Sequence, residues 1–511
     1  MDLPCVKKLA RIRGEVQIQI RECITSTVIL RKYLLYIEGM ATAYVRIAED
    51  LIGQMERGVL RAGDRAPSLR ELSRQERVSV TTALQSYLLL ENRGYLEARA
   101  RSGFFVRQPF ASEIPEPHFE AGRARPGSLG TDDIIQDVLT TANDPANIGF
   151  GAGCASPELF PARRLNLNLR RIVHRDPAHS SRYDFPPGSE PLRRQIARRA
   201  SGAGAAVSPR DIVITGGALE AVGLGLRAAA RPGDAIAVES PTYFGILANV
   251  ASMGMKIVEI PTHPQEGLDL GELERAIRKH RIKAVITMPN CHNPLGFVLP
   301  DKHKRELADL TGRANVAVIE DDVYGDLAFD EIRPRTIKSF DKKGLVILCS
   351  SFSKTLPPGY RVGWVMAGRF RAEVERLKFV TTVATNSLGQ RVVADFLESG
   401  GYDRHVKRLR AAFALQVDSV RQAIARYFPP GTRISRPAGG HLLWVELPPK
   451  TDSLKLYDSA LAEHITTLPG PVFCCGNRYR NYIRINCGHL WSEVYERALL
   501  RLGRLCDQAR N

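Results

Sequence analysis

The sequence predicts an α/β fold in which a small helical unit with a β-hairpin precedes a larger domain built around a mostly parallel sheet. Three observations carry this expectation. Short β-branched runs between residues 211 and 350 alternate with helical patterns, two short capped helices follow one another within residues 68–92, and a proline- and glycine-rich stretch separates the two regions. At 511 residues the chain is long for one core, so two or three domains are expected.

Hydrophobic residues at 44% and charged residues at 25% describe an ordinary globular composition. The net charge of +17, from 72 Lys+Arg against 55 Asp+Glu, points to a polyanionic partner, although arginine-rich enzymes share that balance. Nine cysteines are scattered without zinc or disulfide spacing, which implies no metal site and a reducing, cytoplasmic compartment. No run reaches the ~18 uncharged apolar residues that cross a bilayer, so no membrane partner is expected. Residues 1–39 are basic, charges interrupt their apolar patches, and no small-residue cleavage site follows. A second methionine, Met40, leaves two alternatives open for this extension: an extended start site or a genuine N-terminal arm.

The small unit is expected over residues 40–108. "YVRIAEDLIGQMERG" (44–58) spaces Val45, Ala48, Leu51, Ile52 and Met55 by threes and fours, an amphipathic helix stopped at Gly58. "SLRELSRQ" begins at Ser68 with Glu71 three residues on, a capping box. In "SVTTALQSYLLLENRGY", Ser79 caps a second helix running to about Asn92, with Gly94 beyond its end. Two short helices joined by a tight turn form a helix-turn-helix, whose second helix enters the major groove. "YLEARARSGFFVRQ" then forms a hairpin wing around Ser102 and Gly103, with Arg99, Arg101 and Arg107 suited to phosphate contact. In order and spacing, residues 44–108 resemble the winged-helix domain of the GntR family of bacterial regulators. The resemblance implies double-stranded DNA as a partner, with Arg70, Ser79, Thr81, Thr82 and the wing glycine Gly103 at contact positions. Many members carry an arginine after the cap; here it is Val80, so one source of guanine or phosphate contact is missing.

Residues 109–143 are rich in proline, glycine and charge without apolar periodicity, and are read as a linker. From 144 to 511 the expected strands are "DIVIT" (211–215), "AIAVE" (235–239), "KIVEI" (256–260), "AVITM" (284–288), "VAVIE" (316–320) and "LVILCS" (345–350). Polar clusters sit where these strands end, the usual ligand edge of such a sheet. "TGGALEA" leaves the backbone N–H groups of Gly217, Ala218 and Leu219 free to hold an anion at a helix start. "ESPTYFG" places Tyr243 to stack on a planar ring or merely to pack, and "MPNCHNPLG" sets Asn293 before a proline. "VIEDDVYGDLAF" offers Asp321 and Tyr324, and a buried Asp321 needs a cation or a proton donor. "SSFSKTLPPGYRVGW" puts Lys354 between small hydroxyl residues and a proline-glycine turn.

Each cluster alone is weak evidence, but one ligand satisfies them all. Pyridoxal 5'-phosphate has a phosphate for the helix start with Ser351, Ser353 and Arg361, and a flat ring for Tyr243. It also has a phenolic oxygen for Asn293 and Tyr324, a pyridinium for Asp321 and an aldehyde for Lys354. Lys354 is thereby read as the Schiff-base lysine, with Asp321 and Tyr243 beside it in the chemistry. With "YDFPPGSEPLR", "PAGGHLLWVELP" and "YIRINC" as further matches, the region from about 147 to 507 resembles the class I aminotransferases. That resemblance implies a fold type I architecture: a mostly parallel sheet flanked by helices, plus a smaller α+β subdomain. It also implies that Arg484 binds a substrate α-carboxylate, and that the chain forms a homodimer. The Asn-Pro-Thr-Gly common in that family is Asn293-Pro294-Leu295-Gly296 here. A GntR domain joined to an aminotransferase-like domain resembles the MocR subfamily, which implies a regulator sensing the cofactor or an amino compound through an aldimine at Lys354. A working aminotransferase remains the alternative, because both roles need the same residues.

Overall fold

A computed structural model describes residues 43–510 apart from 45, 56, 62, 93–94, 100–101, 107–113, 120, 129–131 and 142–143. Residues 1–39, Val45, Gly94, Arg101 and Arg107 therefore lie outside the described residues. The chain divides into two compact units at residues 113 and 114.

In the first unit a helix over 46–55 (α1) precedes α2 (Leu69–Gln75) and α3 (Val80–Asn92). Ser68 and Glu71 form the expected capping box at α2. The Ser79 hydroxyl accepts from the Thr82 amide at 3.1 Å, which starts α3. Strands β1 (Leu96–Arg99) and β2 (Gly103–Val106) pair antiparallel, and Gly103 takes the positive φ of +97° that the wing turn requires. The wing has a third member: Gly63 donates to the Val106 carbonyl (2.8 Å) and Ala66 to that of Phe104 (2.9 Å). Ile47, Leu51, Leu72, Ala83, Tyr87, Leu90, Leu96 and Val106 are buried together, so apolar periodicity in all three helices resolves into one small core.

The second unit carries the strands β3 (Arg125–Gly127), β4 (Ile148–Gly149), β5 (Ile212–Thr215), β6 (Ala235–Ser240), β7 (Lys256–His263), β8 (Gly267–Leu268), β9 (Ala284–Thr287), β10 (Ala317–Asp321), β11 (Val346–Ser351) and β12 (Gly363–Met366). Their sheet runs β3-β7-β6-β9-β10-β11-β12-β5, with β8 beside β7 and β4 outside this sheet. The pairs β7·β6, β6·β9, β9·β10 and β10·β11 are parallel, and β12 is antiparallel to both β11 and β5. All six expected strands are therefore present and point the same way, so their C-terminal ends share one edge. Helices pack on both faces, as continuous runs of buried Val, Ile and Ala demand. A smaller antiparallel sheet follows, β13 (Arg433–Ile434), β14 (Leu442–Glu446), β16 (Leu468–Pro469) and β17 (Tyr482–Asn486), while β15 (Ile465–Thr466) pairs with β4. It shares a core with the helices Gly401–Tyr427 and Glu493–Gln508.

The linker reading of 109–143 needs correction over its second half. Residues from Ile114 belong to the second unit, β3 adds to the edge of the sheet against β7, and Asp132–Thr141 is a helix. Pro126 suits an edge strand, where a missing N–H costs no ladder bond, and Ile134, Ile135 and Val138 supply the helical apolar side. No described helix is long and apolar enough to cross a membrane.

Candidate functional site

The shared strand edge collects the predicted clusters. The helix Ala218–Ala229 starts from Gly217 without a side-chain cap, leaving the amides of Gly217, Ala218 and Leu219 for an external acceptor. The Leu219 side chain itself is exposed. Gly217 is required twice over: its φ is +133°, and a β-carbon there would stand 2.6 Å from Nη2 of Arg361. The exposed guanidinium is thus brought beside the positive end of a helix, and the two together suit an anion. Ser351 ends β11 one strand away, its hydroxyl accepting from the Ser353 amide at 3.3 Å.

Asp321 ends β10 and is buried, with the Val323 amide donating to Oδ1 at 3.2 Å. Burial pushes its carboxyl up to about 7, and neither that amide nor Lys354 offsets the effect. Asp326, five residues on, is half-buried, and there Arg333 and Arg199 outweigh burial and hold it well below the usual carboxylate range. Asp321 forms no ion pair among the described residues, as is true of its neighbour Glu320, which instead accepts from the Ile337 and Lys338 amides at 2.7 Å and 2.9 Å. Lys354 extends from the turn after β11 to donate to the Gly153 carbonyl at 2.7 Å, with Nζ 5.5 Å from the Tyr324 ring centre. Burial lowers its pKa, but the Tyr324 phenol, the Cys154 thiol and the Tyr243 phenol outweigh this and leave the ammonium raised. Burial in turn raises the Tyr243 phenol, which lies within the electrostatic reach of Lys354, Tyr324, Arg484 and Asp321.

Arg484 on β17 is 2% exposed, donates to the Asn293 side-chain oxygen at 3.3 Å and to the Gly151 carbonyl, and leaves Nε without a partner. The Asn293 amide nitrogen therefore remains available as a donor. Tyr243, Asn293, Asp321, Tyr324, Lys354 and Arg484 form one continuous group.

Three supporting features escaped the sequence reading. The loop Gly151–Cys154 supplies the carbonyls that hold Arg484 and Lys354, foreshadowed only by its glycine pair. Glu239, a charge within the apolar run of β6, accepts from Thr287 (2.6 Å), the Met288 amide (2.8 Å) and His292 (3.1 Å), fixing the loop that carries Asn293. His441 lies fully buried with its ring centre 5.8 Å from that of Tyr324, and burial lowers its imidazole to about 3, so it stays neutral.

In the first unit Arg70 and Thr81 are exposed on α2 and α3, and Ser79 is spent largely on capping. Thr82 corrects the expectation: it is 1% exposed and its hydroxyl meets that of Ser79 at 2.9 Å, so it braces the helix start and faces inward. Arg99 packs its guanidinium 4.3 Å from the Phe105 ring and pairs with Glu97. Arg65, unnoticed in the sequence, bridges to Phe105 of β2 and lies 3.5 Å from where a β-carbon of Gly103 would stand, which makes it a wing residue.

Residues 163–502 match the family described as aminotransferase class I and II, and residues 43–106 match bacterial regulatory proteins of the gntR family. Over 466 residues the chain is 38% identical to YdcR of Escherichia coli, named as an uncharacterized HTH-type transcriptional regulator. That match covers 91% of this chain and 99% of that protein. It is 28% identical to aromatic-amino-acid aminotransferase 1 of Thermococcus litoralis over 72% of this chain and 90% of that one. Among solved structures it is similar to LysN, an alpha-aminoadipate aminotransferase from Thermus thermophilus complexed with N-(5'-phosphopyridoxyl)-L-leucine. There the TM-score is 0.68 at 27% identity, covering 73% of this chain and 94% of that one.

Proposed function

Since the chain belongs to the regulators that join a gntR-family domain to an aminotransferase class I and II domain, the MocR architecture, we propose that it binds double-stranded DNA through its first unit and pyridoxal 5'-phosphate through its second. A small amino compound is the signal, and the chain acts in the cytoplasm. Asp321 is the observation that carries the cofactor reading. A carboxylate that burial raises to about 7, against the Val323 amide and Lys354, fits a pyridinium nitrogen, and the Arg361–Gly217 cradle at the same strand edge fits a phosphate.

When bound, the cofactor supplies an aldehyde that condenses with amines and a ring that withdraws electrons. The residues of the chain then divide the remaining work. Gly217, Ala218 and Leu219 amides with Ser351, Ser353 and Arg361 hold the phosphate end. Asp321 keeps the ring nitrogen protonated, Asn293 and Tyr324 meet the phenolic oxygen, and Tyr243 stacks. Arg484 orients a carboxylate, and Lys354 Nζ is the group placed to capture the aldehyde and to hold or move a proton. DNA contact by Arg70, Thr81, Gly103, Arg65 and Arg99 completes the regulator, with ligand binding favouring one arrangement of the DNA-binding unit over another. The same second-unit residues suffice for transamination, so an amino-transferring enzyme is the reading that the Thermococcus relative favours.

The cofactor assignment has a direct measurement. Purified protein reconstituted with pyridoxal 5'-phosphate should show a near-visible absorbance band, and borohydride should fix the pyridoxyl group on Lys354 in a peptide map. Colourless protein, or label on another lysine, would sink the assignment.

A homodimer is part of the same proposal. Tyr183 (70% exposed), Phe185 (54%) and Phe379 (51%) form one aromatic cluster, with ring centres 5.4 Å and 6.3 Å apart, next to exposed Val380. Such a patch marks an interaction surface, and two winged helices suit two half-sites. Sedimentation at micromolar concentration should give a dimer without DNA, and Phe379→Asp should shift it toward monomer; a wild-type monomer contradicts the proposal.

A further inference from the structure

We propose that α3 reads a half-site containing A·T pairs, with Val80 and Leu84 packing on thymine methyl groups and Gln85 bonding an adenine. This rests on the regulator reading and deepens it to the class of base recognised. Along α3, Thr82, Ala83, Ser86, Tyr87 and Leu90 are buried, whereas Val80, Thr81, Leu84, Gln85 and Leu88 are exposed. At about 100° per residue the exposed set spans an arc of roughly 140°, one continuous face. Val80 is 48% and Leu84 36% exposed, a paired aliphatic surface on the first two turns, the part of a recognition helix that reaches base edges. Leu88, 44% exposed, lies a further turn along.

The chemistry of this face is restrictive. It carries no arginine, lysine, asparagine, aspartate or glutamate, so the bidentate guanine contact and the carboxylate contact to cytosine are both unavailable from it. What remains is aliphatic surface, which matches the thymine C5-methyl, one threonine, and the Gln85 amide, which matches adenine N6 and N7. The surroundings decide which macromolecule meets the stripe. Arg70 on α2 and Arg77 in the turn before Ser79 are exposed and carry no ion pair among the described residues, with Arg65 and Arg74 also exposed. An apolar stripe framed by unpaired guanidinium groups complements a duplex, with methyl groups between phosphates, better than it complements a protein surface.

The test starts from full-length protein saturated with pyridoxal 5'-phosphate and a random duplex pool. Selected half-sites should contain fixed A·T pairs. Replacing one selected thymine by deoxyuridine, which removes only the methyl, should weaken binding about 4-fold, the worth of one buried methyl. Val80→Ala or Leu84→Ala should abolish that difference between thymine and deoxyuridine. Gln85→Ala should relax the preference for one adenine about 10-fold. All three positions are exposed, so these variants keep the fold, which far-UV circular dichroism checks. Half-sites fixed only at G·C pairs, or binding indifferent to every thymine-to-deoxyuridine change, would overturn the inference while leaving the regulator reading intact. So would a Leu84→Ala variant that alters self-association and leaves base preference unchanged, since the stripe would then be a protein surface. Failure to bind any duplex would overturn the regulator reading as well.

Discussion

Lys354→Ala should leave DNA affinity within about 2-fold of wild type and abolish every response of that binding to cofactor and amino compounds. The lysine ammonium is anchored to the Gly153 carbonyl at 2.7 Å and faces Tyr324, so its removal deletes the one nucleophilic amine of the strand edge. It belongs to the second compact unit, whereas α1–α3 and the wing belong to the first. The phosphate cradle of Gly217 and Arg361 survives, so the variant should still take up pyridoxal 5'-phosphate weakly, without the near-visible band. Arg70→Ala should do the reverse: weaker DNA binding with a shallower salt dependence, by about one phosphate contact, and an unchanged cofactor spectrum. Mobility-shift titrations with and without a panel of amino acids read both outcomes. A Lys354→Ala protein that still answers the panel would show that sensing does not run through this lysine.

Much of this site was legible because its chemistry sits at strand ends, where sequence patterns are strongest. Buried strands announce themselves by β-branched runs such as "VAVIE", and the residue after each run is placed at the ligand edge by the parallel topology alone. Asp321, Asn293 and Lys354 were found in this way. Groups that act through carbonyl oxygens were not, because any residue type supplies a carbonyl; Gly151 and Gly153 hold Arg484 and Lys354 without a side-chain signature. Thr82 misled for a related reason. Adjacent threonines at a helix start look alike in sequence, but about 100° of rotation turns Thr81 to solvent and Thr82 to the Ser79 hydroxyl. The edge strand β3 was hidden inside a proline- and glycine-rich stretch, since the composition of an edge strand and of a linker are the same. Arg65 became a wing residue only through its bridge to Phe105, a pairing between segments about 40 residues apart that local pattern does not carry.

Arg333→Met should cause the largest loss of stability among the substitutions proposed, about 3 kcal/mol, through the carboxylates it leaves behind. Arg333 is 19% exposed at its side chain and pairs with Asp322, 2% exposed, and Asp326, 13% exposed. Asp326 is further held by Arg199 at 3.2 Å and by the Tyr402 hydroxyl at 2.6 Å, and that hydroxyl also meets the Thr355 hydroxyl at 2.9 Å. The network thus underlies both Asp321 and Lys354 by way of their chain neighbours. Arg199 and the Asn290 amide, which donates to Asp322 at 2.7 Å, remain in the variant, so the lower end of the roughly 3–5 kcal/mol expected for a broken buried pair applies. The sign with pH follows from Asp326. Its folded pKa is depressed, with Arg333 and Arg199 outweighing burial, so its stabilisation is fully present above the unfolded value of about 3.9 and is lost as pH falls through the folded value. The gap between wild type and Arg333→Met should therefore be widest near pH 7 and should narrow as pH drops below about 4. Neutralising the stranded groups with Asp322→Asn and Asp326→Asn in the same chain should recover most of the loss at about pH 7, because the penalty lies in unpaired buried charge and much less in the missing contacts. Urea midpoints of the second unit, followed by circular dichroism at about pH 7 and about pH 3.5, measure both effects. A deficit equal at the two pH values, or one untouched by the asparagine substitutions, would assign the cost to packing instead.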